Sequence, residues 1–110
     1  VELAMYAKVY NLKFPSVAEA KIAASYFSDS FGKLIVTCNM QALNISLGQC
    51  GSVTIQTKFL SSEDVRKFEE RAKITLGELK DSLAYSENHY VGVFVYAYEA
   101  EATDTSITVN

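Results

Sequence analysis

The chain has 110 residues, 49% of them apolar and 21% charged, a balance that excludes general disorder and allows one self-sufficient core. Its net charge is −3 and its ten Lys and Arg are scattered without a basic run, so it lacks the electrostatic footprint of a nucleic-acid binder, and its acidic balance disfavours anionic lipid. The longest apolar run, Tyr90 to Tyr98, is too short to cross a bilayer as a helix, so direct membrane insertion is not expected.

From Leu3 to Phe14 the pattern predicts a strand. Leu3, Met5, Ala7 and Val9 share the face expected to pack on the helices, and Tyr6, Lys8 and Tyr10 share the other. Pro15 ends it. Ser16 with Glu19 three residues on forms a capping box that opens a helix. Its stripe is Val17, Ala20, Ala24, Phe27 and Phe31, and Gly32 closes it.

Lys33 to Leu47 is read as a second strand. Val36, Cys38 and Met40 have one parity and Leu43, Ile45 and Leu47 the other, the signature of an inserted bulge residue. Gly48 to Gly51 forms a turn. Ser52 to Leu60 alternates cleanly, with Val53, Ile55 and Phe59 inward.

Ser61 or Ser62 caps the second helix, whose stripe is Val65, Phe68, Ala72, Leu76, Leu79 and Leu83. Gly77 marks a possible kink or end. Tyr90 to Glu99 is the last expected strand, with Val91, Val93 and Val95 inward and Tyr90, Phe94, Tyr96 and Tyr98 outward. Residues 99–110 turn polar, as an edge strand or the start of a stalk would.

The order β-α-β-β-α-β is that of the ferredoxin-like fold: α+β, a four-stranded antiparallel sheet with two helices on one face. Residues 1–98 form the expected domain, and 99–110 a C-terminal extension. The chain opens at Val1 without Met, as a processed leader or an excised domain would.

Chemistry-bearing constellations are sparse. His89 is the only histidine, its neighbours Ser86, Glu87 and Asn88 are polar, and it is expected on an exposed loop. The cysteines lack metal-ligand spacing, no Gly-rich phosphate loop or G-x-S-x-G elbow is present, and no ionisable cluster is expected to mark a pocket. No metal, cofactor or multiple-turnover catalysis is therefore expected. Cys38 and Cys50 are two thiols that form a bridge or stay buried and free. Asn44-Ile45-Ser46 is a glycosylation acceptor if the chain is secreted.

Two features remain. In this topology the first and last strands are neighbours, so the outward parity groups Tyr6, Tyr10, Phe94, Tyr96 and Tyr98 on the sheet face away from the helices. Five large rings suit a binding surface, a face covered by residues 99–110 folding back, or a half-exposed sheet. The second is Gly48-Gln49-Cys50-Gly51-Ser52-Val53-Thr54-Ile55.

That segment, with Tyr10-Asn11-Leu12-Lys13-Phe14, resembles the SEA domain family of extracellular modules in mucins and other cell-surface glycoproteins. The likeness spans most of the chain in element order but only about ten residues in motif. It implies a ferredoxin-like fold and self-cleavage at a Gly-Ser bond in the central hairpin. Ser52 would be the nucleophile and Gly51 would supply the carbonyl, with turn strain weakening the peptide resonance. Thr54 and Ile55 depart from the family's valines, and Cys50 precedes the glycine.

The resulting expectation is an extracellular, non-catalytic adhesion module, self-cleaving at most once at Gly51-Ser52, with its halves kept associated. The alternative is a ferredoxin-like subunit that self-assembles through its aromatic sheet face or by strand exchange. In either case the partner is a protein or another copy of the chain.

Overall fold

The computed structural model describes residues 4–100. Its elements are β1 (Tyr6–Lys13), α1 (Val17–Gly32), β2 (Ala42–Leu47), β3 (Ser52–Phe59), α2 (Ser62–Lys80) and β4 (Ser86–Val93). The strands form one sheet in the order β2-β3-β1-β4 with every pairing antiparallel. This is the ferredoxin-like architecture expected from the element order.

Both helices start where the capping residues place them. The Ser16 side chain accepts from the Glu19 amide at 3.2 Å, and Ser61 accepts from the Asp64 amide at 3.1 Å. Helix α1 buries Ala20, Ala23, Phe27 and Phe31, and α2 buries Val65, Phe68, Ala72, Leu76 and Leu79. Gly77 sits inside α2 without ending it. Phe68 is the hub of the core: its ring lies 5.2 Å from Phe31, 5.4 Å from Phe59 and 6.3 Å from Tyr10.

Three expectations are corrected. Residues 33–39 form tight helical turns rather than strand, with the Cys38 amide donating to the Leu34 carbonyl at 2.8 Å. Asn39, at φ 52, reverses the chain before β2 begins at Ala42. The parity switch read as a bulge is thus a boundary between two kinds of backbone.

The parity of β1 is also the reverse of the reading. Tyr10, Leu12 and Phe14 join the core cluster beneath the helices, Tyr6 packs against it, and Ala7 and Val9 face the open side. The larger apolar groups, Tyr10, Leu12 and Phe14, gain more from the helix side than Met5, Ala7 and Val9 would, and Val9 is buried on the opposite face of the sheet. Leu3 lies outside the described residues. Finally, β4 runs four residues earlier than expected at its start and ends at Val93. Its register pairs Tyr10 with His89 and Tyr6 with Val93, so His89 is a strand residue and not a loop residue.

Candidate functional site: the β4 flank and its tail

Strand β4 is an edge strand, and the helices pack chiefly on β1, β2 and β3. Glu87, His89, Val91 and Val93 point to the helix side of the sheet, while Asn88, Tyr90 and Gly92 point to the open side. Neither side is sealed: Tyr90, Val91 and Val93 are all exposed.

Past Val93 the chain turns across the open face. The Phe94 amide donates to the carbonyl of Met5, the residue just before β1, at 2.9 Å. The Lys58 ammonium lies 5.2 Å from the centre of the Phe94 ring and 3.2 Å from the Glu99 carboxylate, fastening the tail over β3. A hollow of about 230 Å³ stays unfilled there, lined by Ala42, Asn44, Gln56 and Lys58 of the sheet and by Phe94 and Tyr96 of the tail.

Of the five expected binding rings, Tyr6 and Tyr10 are thus inside, on the helix face. Phe94, Tyr96 and Tyr98 belong to the tail, so the five do not share one surface. What the tail hides of the sheet it replaces with its own apolar groups: Val95 is 99% and Tyr96 83% exposed. Among the described residues twelve large apolar side chains are exposed, and seven of them lie between Tyr90 and Tyr98. Exposed apolar side chains are usually scattered singly; here they gather in one stretch of chain that runs along the β4 edge and past it.

On the helix side of the same flank the fold assembles an ionisable cluster that the residue pattern did not signal. Lys8 is buried, its side chain only 3% exposed, and its Nζ reaches the Glu69 carboxylate of α2 at 2.9 Å. The same Nζ lies 2.8 Å from His89 Nδ1 and 5.0 Å from the centre of the Tyr10 ring. The His89 ring leans on Tyr10 at 5.6 Å between centroids, and its Nε2 is 3.9 Å from Glu87. Burial, then the charges of Glu69 and Glu87, push the Tyr10 hydroxyl well above the usual phenol range. In the sequence these five residues are scattered over three elements. The missed signal was the in-register pairing of Tyr10 with His89 and of Lys8 with Val91, which needs the strand boundaries to be right.

The central hairpin holds the Gly51-Ser52 pair as expected. Gly51 sits at φ +90, and a Cβ there would meet the Phe14 carbonyl oxygen at 2.8 Å, so only glycine fits. The turn is closed by the Gly48 amide on the Ser52 carbonyl at 2.7 Å and by the Phe14 amide on the Gly51 carbonyl at 2.9 Å.

Cys50 on this turn is exposed, while Cys38 is buried in the core; both are free thiols. A hydrogen bond with Ser52, then the nearby Lys13 charge, lower the Cys50 thiol below its usual range, and burial raises Cys38. Lys13 Nζ also donates to the Cys50 carbonyl. Asn44 is exposed on the open side of β2, beneath the tail, where a glycan and the tail would compete for the same space. Among the described residues no group of three or more His, Cys, Asp or Glu is placed to hold a metal ion.

Neither the family models nor the curated proteins contain a match to this chain. Solved structures do share its fold. A dimeric ferredoxin-like protein from an uncultured marine organism superposes with a TM-score of 0.68 at 17% identity, covering 87% of this chain and 98% of that one. A dimeric protein of unknown function and ferredoxin-like fold from Bacteroides fragilis gives a TM-score of 0.63 at 14% identity, covering 82% and 96%. A protein of unknown function from Nitrosomonas europaea gives 0.66 at 9% identity, covering 93% and 100%. These place the chain in the ferredoxin-like class of folds.

Proposed function

We propose that the chain is a self-associating subunit, a ferredoxin-like module that pairs with a second copy through the β4 flank and its tail. The observation that carries this reading is the gathering of seven of twelve exposed apolar side chains between Tyr90 and Tyr98. Each large side chain taken out of water contributes about 1.5–3 kcal/mol, so covering most of this segment offsets an association cost on the order of 4–15 kcal/mol. The unpaired edge of β4 adds backbone groups that a second copy can satisfy. Two of the structures similar in fold are themselves described as dimeric, which supports the same reading.

The test is a double change, Val95→Asp with Tyr96→Asp, followed by light scattering. Both side chains are exposed, so the altered chain should fold with near-parental stability. The expected result is an assembly that falls to single chains. If the altered and parent proteins show the same mass, above that of one chain, the flank is not the contact.

A second reading, a self-cleaving extracellular module, has one feature in its favour: Gly51-Ser52 occupies the β2–β3 hairpin with Gly51 held at positive φ. Intact mass under denaturing, reducing conditions tests it. Two fragments divided after Gly51 would support cleavage, and a single uncut chain would remove it.

A further inference from the structure

The free edge of β4 has a definite phase. The Phe94 amide donates to the Met5 carbonyl at 2.9 Å, in step with the register that sets Tyr6 beside Val93. Opposed residues in an antiparallel pair alternate between bonded and non-bonded, so Gly92, Tyr90, Asn88 and Ser86 also turn their backbone groups to β1. The other seam of β1 agrees. There the Phe14 amide donates to the Gly51 carbonyl at 2.9 Å, which gives Tyr6, Lys8, Tyr10 and Leu12 to β3. Glu87, His89, Val91 and Val93 therefore hold their N–H and C=O groups toward the outer edge, where no strand pairs with them among the described residues.

A second β4 that joins this edge antiparallel must set outward residues against outward residues, so a two-fold axis passes through one residue of the strand. The side chains decide which. On the open side the exposed Tyr90 ring leans toward the C-terminal end of its own strand: a Cβ built on Gly92 would lie 3.6 Å from its Cε1 and 3.8 Å from its Cδ1. Gly92 is the one glycine inside the described strands. With the axis at His89 or Tyr90, the rings of the two copies lean apart, and Glu87 faces Val91 or Val93 of the second copy, respectively. A carboxylate is poorly placed against a valine. With the axis at Gly92, the overlap shrinks to Val91–Val93. With the axis at Val91, Val91 meets its own copy and Val93 meets His89. Each Tyr90 then stands opposite the other copy's glycine, and the two rings converge over the seam. Glu87 stays outside the overlap, 3.8 Å from Lys80.

We propose that two copies join β4 to β4 about a two-fold axis at Val91, making one continuous sheet in which Tyr90 of each copy seats against Gly92 of the other. This rests on the self-association proposed above, and adds to it the edge, the register and the residues that meet. The second copy is the occupant that fits because the seat is self-complementary: the ring and the glycine that receives it lie two positions apart on one strand, and a two-fold axis between them pairs each with the other.

Cysteines placed one at a time read the axis. A residue on an outward-facing axis lies about 5.5 Å from its copy between Cα atoms, within the reach of a disulfide. A residue one place off the axis lies about 7–8 Å from its copy, beyond that reach. His89→Cys, Tyr90→Cys and Val91→Cys are all exposed changes, made in a Cys50→Ser chain that lacks the exposed native thiol. Each is weighed by sedimentation at a concentration where the parent pairs, and then mildly oxidised. The expected result is a two-chain mass throughout and efficient linkage at Val91→Cys alone. Faster linkage at His89→Cys or Tyr90→Cys overturns the axis. A two-chain mass with no linkage at any site overturns the edge pairing and leaves self-association standing, whereas a parent that stays single overturns both. Gly92→Val adds a side chain where the rings meet and should weaken association about tenfold while the single chain stays folded. Association as tight as the parent's would overturn the seat.

Discussion

The centre of the sheet and its β4 flank are built from similar residues and end in opposite environments. Val53 and Ile55 on β3 are fully buried, while Val91 and Val93 on β4 alternate just as well and stay exposed. The difference lies in the neighbours: β3 has a strand on each side and helices above it, whereas β4 is an edge that the helices largely leave uncovered. Alternation thus reports that a strand has an apolar face, and the topology decides whether the chain itself covers that face. An apolar strand face that the chain leaves open is where a second copy or a ligand can bind.

The contrast is broken most severely at the core hub. Phe68→Ala removes a fully buried ring that touches Tyr10, Phe31 and Phe59, and should cost about 3–5 kcal/mol in urea unfolding. Val93→Ala on the flank should change single-chain stability by less than about 0.5 kcal/mol. Equal costs at the two positions would erase the distinction.

The ion pair beneath the flank sharpens it. Glu69 is 35% exposed and can turn to water, but Lys8, at 3%, cannot. Glu69→Gln leaves the buried ammonium without its paired charge and should cost about 2–3 kcal/mol, and Lys8→Met, which leaves only a partly exposed carboxylate unpaired, should cost less. A reversed order in denaturant titrations would show that Lys8 reaches solvent.

The two thiols draw the same line chemically. Cys50 should alkylate in the native protein, and its rate should rise at lower pH than that of the unfolded chain, because its folded thiol is lowered by Ser52 and Lys13. Ser52→Ala should move that rise back toward higher pH. Cys38 should react only on unfolding. Mass spectrometry over a pH series reads all three outcomes, and two unreactive thiols in the unreduced, denatured chain would indicate a bridge. The smallest effect belongs to the tail's tether: Glu99→Ala breaks an exposed pair and should cost at most about 1 kcal/mol, less at high salt.

Much of the frame was legible in the sequence. Pro15, Ser16 and Ser61 mark boundaries by chemistry that does not depend on the fold, and the α2 stripe is long enough for its period to be unmistakable. The hairpin at Gly48 to Gly51 was also where the glycines put it. The flank was not legible, for two physical reasons. Residues 33–39 are apolar enough to pass for strand when only parity is counted, and their turn bonds are local backbone contacts with no sequence period. In β4, the polar start Ser86-Glu87-Asn88-His89 reads as loop because its partners Lys13, Leu12, Asn11 and Tyr10 are more than 70 positions away. Shifting that strand hid the Lys8–Glu69–His89 cluster, and the reversed parity of β1 moved Tyr6 and Tyr10 off the surface where they had been expected.

The central claim is that the exposed β4 flank and tail are covered by a second copy of the chain. Sedimentation equilibrium of the unaltered protein across a wide range of concentrations tests it most directly. The account predicts a mass of twice the 12.2 kDa chain, giving way to single chains only on dilution. A mass of 12.2 kDa at every concentration, with the apolar tail left in water, would contradict it.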